Sequence, residues 1–381
     1  MSILGAVTSA ALILWVLVEA FEAMVLPRRV TRKFRLNRFF YLLFWPVWLL
    51  LARCFRSPKR RESFLSGFGP LSMLGLFATW VLMLIVAFAL LHWSLGTPMQ
   101  TPSGEPGFLT LCYFSGITFF TLGYGDVVPV DGVGRLLAVM EGGIGFGFLA
   151  LIIGYMPVLS QAFSRREATI SLLDARAGSP PSAAQFLVRV APHYDAGRAD
   201  AFLAEWERWS AELLESHLSF PVLSFYRSQH DNQSWLAALT AILDSCALVI
   251  ATAPGRCSYQ TQLTFAMSRH AAVDLALVFG TPPIAPQPDR LPADAWQRLS
   301  RQLREAGLEV RDGPAVEAKL SELRGMYEPF VNALAQFFHF ALPPIAPEKT
   351  GVDNWQTSAW MRRTAGLRHL PIVADGDEHF D

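Results

Sequence analysis

Three long apolar stretches constrain the fold of this chain more than any other feature. They cover about residues 3–26, 71–95 and 136–159. A helix needs about 20 apolar residues to cross a hydrocarbon core of about 30 Å, because each residue advances it by about 1.5 Å. The sequence is 52% hydrophobic and only 17% charged, which excludes an ordinary soluble protein. We therefore predict an all-α membrane protein with three spans.

A fourth apolar run, residues 39–55, is shorter and is interrupted by Pro46. Short cytoplasmic loops are enriched in Lys and Arg, and basic residues flank this run on both sides: Arg28, Arg29, Arg32, Lys33, Arg35 and Arg38 before it, and Arg53, Arg56, Lys59, Arg60 and Arg61 after it. If both flanks are cytoplasmic, the run cannot cross. We expect it to lie at the membrane interface, with a fourth crossing as the alternative.

The same charge pattern predicts an orientation for the spans. The first span runs inward from an N-terminus outside, and the second runs outward. The loop 96–134 contains no Lys or Arg, so it is placed outside. The preference for Arg over Lys suggests a GC-rich bacterial genome. We therefore expect a multi-pass protein of a bacterial plasma (inner) membrane, with the lipid bilayer as one partner.

The sequence Thr-Leu-Gly-Tyr-Gly-Asp at 121–126 lies between the second and third spans. An apolar segment of short-helix length, 107–120, precedes it, and a glycine-rich apolar helix is predicted from Arg135 onward. Gly123 and Gly125 can adopt left-handed backbone conformations at low cost. A short connection, 127–134, joins the motif to that helix, and the four features in this order predict a re-entrant helix and loop between two spans.

This arrangement resembles the potassium-channel superfamily, in particular the bacterial two-span pores, in which a threonine-x-glycine-tyrosine-glycine loop replaces the hydration shell of the ion with carbonyl oxygens. The resemblance implies a pore helix at 107–120 and a filter at 121–126. The ion-binding residues are then Thr121, Leu122, Gly123, Tyr124 and Gly125, and the supporting residues of the filter and its outer mouth are Asp126 and Thr118.

One chain supplies one such loop, so a closed ring requires four copies. The resemblance thus implies a homotetrameric potassium channel in which K⁺ is the permeant ion, without enzymatic activity, cofactor or nucleic-acid partner. Phe120 and Leu122 are bulkier than the residues usual at their positions in the family. Phe120 keeps open an alternative, a non-conducting or weakly selective relative that serves as a scaffold or sensor.

The predicted inner helix, 135–159, contains further candidate residues. Gly145 lies where the family has its hinge glycine, and Pro157 can kink a helix, so both are candidate gating hinges. The alternative for the glycines is close helix packing. Glu141 is an ionisable residue within a span, with Arg135 as a possible partner.

After residue 164 the composition becomes that of a soluble, mostly helical region. It lacks a nucleotide-binding glycine motif, its histidines are scattered, and the four cysteines have no metal-site spacing. A regulatory ligand or protein partner is left open, and Arg165 and Arg166 are expected to contact lipid headgroups. The predicted segments are an N-terminal span 1–26, a basic segment 27–69, a pore domain 70–160, a linker 161–182, a helical cytoplasmic domain 183–366 and a tail 367–381.

Overall fold

The computed structural model describes residues 2–25, 36–102, 104, 106–228 and 232–348. The chain divides into two compact units, Met1–Gln161 and Ala162–Asp381. The basic residues between 28 and 35 and the predicted tail 367–381 lie outside the described residues. Within them the fold is all-α apart from one pair of two-residue strands.

Most helices of the first unit are apolar, and three of them have more than 20 residues. The helices of this unit are α1 (Ile3–Met24), α2 (Leu36–Ala52), α3 (Pro58–Ser66), α4 (Phe68–Leu95), α5 (Phe108–Phe119) and α6 (Gly132–Ala177), the last of which ends in the second unit. Packing joins α1 to α4, α4 to α5 and α2 to α4. The predicted spans and pore helix lie within or overlap these helices.

Two short strands join the ends of the segment that contains the predicted filter. β1 (Met99–Gln100) pairs antiparallel with β2 (Val128–Pro129), and the Val130 amide donates to the Pro98 carbonyl at 3.1 Å. The chain therefore leaves α4, passes through α5 and the filter, and returns beside its starting point. The left-handed Gly96, at φ 64°, ends α4 and turns the chain into β1.

Three helical stretches of the first unit are long and apolar enough to cross a membrane: Ile3–Met24, Pro58–Leu95 and Gly132–Ala177. Helix α9 (Trp235–Thr252) of the second unit also meets this criterion, but nearly all of it is buried inside its own unit. Helix α2 is shorter, at 17 residues. The chain is a multi-pass membrane protein, and the interfacial placement of 39–55 stays a prediction.

The second unit is a helical domain built around α9. Its other helices are α7 (Ala183–Val190), α8 (Ala196–Ser219), α10 (Tyr259–Phe279), α11 (Ala293–Glu305), α12 (Pro314–Gly325) and α13 (Glu328–Phe338). Side-chain oxygens cap α7, α8, α9 and α10 at their first turns, from Ser182, Asp195, Ser234 and Ser258. Helix α9 packs against α7, α10, α12 and α13.

Most of the interval 161–182, predicted as a linker, is helical, because α6 continues to Ala177. The expectation that Arg166 contacts lipid headgroups is wrong. Its side chain is 3% exposed and donates to the carbonyls of Leu223 and Tyr226, each at 2.9 Å. Arg166 follows an apolar stretch, as basic residues at the end of a span do, but the tertiary structure places it in the core of the second unit.

Candidate functional site

The predicted filter begins directly on the end of α5. The Phe120 amide donates to the Gly116 carbonyl at 3.0 Å, and the Leu122 amide donates to the Ile117 carbonyl at 2.7 Å. The Thr121 amide donates to the Thr118 carbonyl at 3.0 Å, so Thr118 supports the loop through its main chain. These bonds use carbonyls that a helix end otherwise leaves without intrahelical partners.

The backbone of the loop has positive φ at every second residue. The φ angles are 56° at Thr121, 56° at Gly123 and 79° at Gly125. Glycine adopts this region freely, whereas a residue with a β-carbon pays about 1–2 kcal/mol. Thr121 is thus a strained position of the kind that recurs at functional sites.

The filter residues are largely uncovered within one chain. Leu122 is 54% exposed, Tyr124 is 68% exposed, and Phe120 just before them is 58% exposed. A β-carbon built on Gly123 or Gly125 would meet nothing within 4 Å in the same chain. One copy therefore leaves the surface of this loop open to another molecule.

The C-terminal end of the loop is tied to α5 by a hydrogen bond. The Tyr113 hydroxyl donates to Asp126 Oδ2 at 3.0 Å. On the following connection, Asp131 Oδ1 accepts from the Gly134 amide at 3.1 Å and caps the start of α6. The structure therefore brings Asp126 to the pore helix, and sequence analysis missed Tyr113 as its partner.

A buried polar pair links α5 to α6 behind the filter. The Ser115 hydroxyl hydrogen-bonds to Glu141 Oε1 and lies 2.9 Å from the Ile85 carbonyl of α4. Ser115 and Glu141 are both 0% exposed. Within the described residues Glu141 Oε2 has no hydrogen-bond partner.

The predicted pairing of Arg135 with Glu141 is not formed, because Arg135 Nε donates to the Pro129 carbonyl at 3.3 Å instead. The side chain that does contact Glu141 is Ser115, on a different helix and 26 residues away. The only hint of this pair in the sequence was a serine within the predicted pore helix.

Gly145 is a point of close approach between α6 and the end of α5. A β-carbon at this position would overlap the Phe119 carbonyl oxygen and lie 2.8 Å from the Phe119 carbonyl carbon. This contact supports the packing alternative for Gly145. Pro157, the other candidate hinge, lies inside α6.

No group of His, Cys, Asp or Glu in the described part of the chain has an arrangement that suits a metal ion. The four cysteines, Cys54, Cys112, Cys246 and Cys257, are all free thiols. The chemistry available at the candidate site is therefore that of main-chain carbonyls, hydroxyls and the carboxylates of Asp126 and Glu141.

Comparison with known proteins identifies the region that contains this site. Residues 77–159 match the model of a family described as "Ion channel". Protein LctB of Bacillus caldotenax is 34% identical over 93 residues, which cover 22% of this chain and 69% of that protein. The uncharacterized membrane protein YdjJ of Bacillus subtilis (strain 168) is 28% identical over 153 residues, 40% of this chain.

The chain spans only 43% of the length of YdjJ. No solved structure matches the chain. The match over 77–159 covers α5, the filter loop and the part of α6 that packs behind them. On these grounds the chain belongs to the two-span ion channel family of the potassium-channel-like superfamily.

Proposed function

We propose that this protein is a potassium-selective channel that conducts K⁺ passively across the membrane. The observation that carries the proposal is the alternation of positive φ at Thr121, Gly123 and Gly125. Such alternation turns successive peptide planes so that their carbonyls point to one side of the loop. Carbonyl rings of this kind replace the water around a K⁺ ion as it enters and release it as it leaves.

The electrostatics of the loop support a cation as the permeant species. The C-terminal end of a helix carries a partial negative charge, and α5 points this end at the start of the filter. Asp126 adds a carboxylate at the other end of the loop, held by Tyr113. No Lys or Arg occurs between residues 96 and 134 to oppose them.

A homotetramer accounts for the surface that one chain leaves uncovered. One chain contributes one filter loop, and a ring of carbonyls needs four around a closed symmetry axis. The exposed apolar side chains of α6 supply further surface for neighbouring copies and lipid: Leu136, Val139, Met140, Phe146, Leu149 and Ile153.

The test of selectivity is a flux assay on the purified chain in liposomes. We expect concentrative uptake of ⁸⁶Rb⁺, a close substitute for K⁺, driven by a K⁺ gradient and not supported by a Na⁺ gradient. Equal fluxes of Na⁺ and K⁺ would show that the pore is not selective. Mass photometry in mild detergent tests the assembly, and finding only monomers and dimers contradicts the tetramer.

A second candidate is a pore-like scaffold that does not conduct, and the exposed Phe120 at the inner end of the filter is the observation that favours it. Folded tetramers without ⁸⁶Rb⁺ flux would support this candidate. The variant Phe120→Thr then separates two causes of the missing flux. If flux recovers, the Phe120 ring blocks the pore; if flux stays absent, the pore as a whole does not conduct.

For gating, we propose that α6 bends at Pro157, which removes one backbone donor from the helix. We expect Pro157→Ala to change the open probability in single-channel recordings, and an unchanged open probability excludes this pivot. Gly145→Ala is expected to lower conductance instead, because the added carbon pushes against Phe119 at the end of the pore helix.

A further inference from the structure

The second unit contains a cavity of about 430 Å³ between the end of α6 and helices α7, α8 and α9. Cavities that bind small molecules have volumes of about 300–1,000 Å³. The rim includes the exposed residues His193 and Arg198, and the interior includes the buried Phe186 and Cys246. The cavity thus runs from the surface into the core of one unit.

Most of the cavity wall is apolar. It consists of Phe186, Leu187, Val190, Ala191, Phe202, Leu203, Val249 and Leu308. The rings of Phe186 and Phe202 stack with their centroids 5.2 Å apart. A wall of this composition suits an apolar or aromatic body, because pockets gain affinity from apolar area and orientation from a few polar groups.

Arg256 gives one side of the cavity a positive charge. Its guanidinium lies over the Tyr194 ring at 4.3 Å, and its Nη2 donates to the Gly307 carbonyl at 2.9 Å. Its Nη1 is shielded from solvent and has no hydrogen-bond partner within the described residues. Arg256 lines the cavity, so its positive charge attracts an acidic group on a ligand.

The remaining charges favour an anion as well. Four arginines line the cavity, Arg176, Arg189, Arg198 and Arg256, against two carboxylates, Asp195 and Asp200. Asp195 already accepts from the Arg198 amide as the N-cap of α8. Among the described residues, Arg176, Arg198 and Arg256 have no ion pair with a carboxylate.

We propose that this cavity binds a small amphipathic organic anion, with its acidic group at Arg256 and its apolar body against Phe186 and Phe202. Two lining residues, Ala175 and Arg176, belong to α6, which also carries Glu141 and Pro157. Occupancy of the cavity therefore acts on the pore-forming helix and regulates flux. This second step rests on the proposed channel function, whereas binding does not.

The binding test uses 2-naphthoate, which has an aromatic body and one carboxylate, with the neutral 2-naphthamide as its matched control. Both are measured on the full chain in detergent by equilibrium dialysis, and a protein-free detergent sample corrects for uptake into micelles. We expect one naphthoate per chain and at least tenfold weaker binding of the amide. Equal binding of the two probes, or no binding of naphthoate at millimolar concentration, overturns the proposal.

Variants locate the binding within the cavity. Arg256→Gln removes the charge, and Val249→Trp fills the space, so each is expected to weaken naphthoate binding at least tenfold. The control Arg208→Gln removes an exposed arginine from α8 that does not line the cavity, and its affinity should equal that of the wild type. If neither cavity variant alters the affinity, naphthoate binds elsewhere and the proposal fails.

Arg256 also contacts Tyr194 and Gly307, so its replacement can disturb folding. Where thermal unfolding shows such a loss, Arg198→Gln at the exposed rim provides the charge test, with an expected loss of about threefold. The regulatory step is measured as ⁸⁶Rb⁺ flux with and without naphthoate. A change in flux that Val249→Trp abolishes supports it, and an unchanged flux through conducting, naphthoate-bound channels refutes it.

Discussion

The two units of this protein differ in where they leave their apolar side chains. In the second unit, five large apolar residues of the described chain are exposed: Leu172, Tyr259, Leu277, Val278 and Ile284. In the first unit, exposed apolar residues occur on every spanning helix and throughout the filter loop. The second unit therefore completes its own core, whereas the first leaves apolar surface that needs lipid to cover it.

The units also differ in how they bury charge. In the first, Glu141 has one hydrogen-bond partner, Ser115. In the second, Asp244 accepts from Arg290 Nη2 at 2.6 Å and from the Tyr327 hydroxyl at 2.6 Å. Arg290 Nη1 also lies 3.2 Å from Glu328 Oε1. This cluster of the second unit thus pairs buried charges of opposite sign, whereas Glu141 of the first unit meets only a neutral hydroxyl among the described residues.

The largest expected effect is confined to the first unit and leaves the second unit unchanged. Gly125→Ala places a β-carbon at a φ of 79°, which strains the loop and, in the proposed tetramer, narrows the space that the four copies share. We expect ⁸⁶Rb⁺ flux to fall to background, while hydrogen exchange in the second unit stays unchanged. The control Gly116→Ala lies within α5 and meets no atom within 4 Å, so it should conduct. Comparable flux in the two variants would mean that Gly125 has no special role.

A second prediction concerns the stability of the second unit. Burial opposes the charge on Arg290, but Asp244, Tyr327 and Glu328 together outweigh it and raise the pKa of the guanidinium above its usual value. Arg290→Met leaves Asp244 and Glu328 buried without this cation, which costs about 3–5 kcal/mol. Hydrogen exchange of α9 measures the loss.

The control for that variant is Arg298→Met. Its partner is Asp294 at 2.5 Å, in an exposed pair with the arginine 44% exposed, and such pairs contribute about 0–1 kcal/mol. A loss of protection in α9 as large as that of Arg290→Met would show that the buried network is not specifically responsible. The first unit should exchange as in the wild type in both variants.

A third prediction is a pH dependence confined to the second unit. Burial, and then the charge of Arg166, lower the pKa of His217 well below 6.5. Below about pH 6.5, His217 is therefore protonated in the unfolded chain but stays neutral in the folded unit. Stability should fall with decreasing pH by up to about 1.4 kcal/mol per unit in that window.

His217→Gln should remove this slope, as followed by thermal unfolding between pH 7 and pH 5. His270 provides the control, since its side chain is 58% exposed and lies one helical turn from Asp274. His270→Gln should leave the slope in place. An undiminished slope in His217→Gln would assign the pH dependence to another group.

The first unit was largely predictable from its sequence, because its features are local. Apolar length predicts the spans, and the order of short helix, glycine motif and long helix predicts the re-entrant loop. The channel family is confirmed by the match over 77–159. Fine features were not predictable: Ser115 and Glu141 meet across two helices, and the approach of Gly145 to Phe119 depends on packing.

The second unit was predictable only as helical. Arg290 pairs with Asp244, which is 46 residues away, and Arg166 meets carbonyls 57 and 60 residues away. No local pattern encodes contacts at such separations, so a basic residue after a span resembled a lipid contact. The cavity has the same origin, since its wall combines side chains from the five helices α6 to α10 and from connecting segments.

The smallest expected effect tests how far the filter is held by its own chain. Tyr113→Phe removes the donor to Asp126, and a hydrogen bond of this kind contributes a net free energy of about 0.5–1.5 kcal/mol. Both partners are exposed within one chain, so we expect the low end: flux persists and the preference for K⁺ over Na⁺ falls about two- to threefold. Tyr259→Phe, 74% exposed in the second unit, should change neither. Complete loss of selectivity in Tyr113→Phe would mean that this one bond, rather than the proposed ring of four loops, fixes the filter.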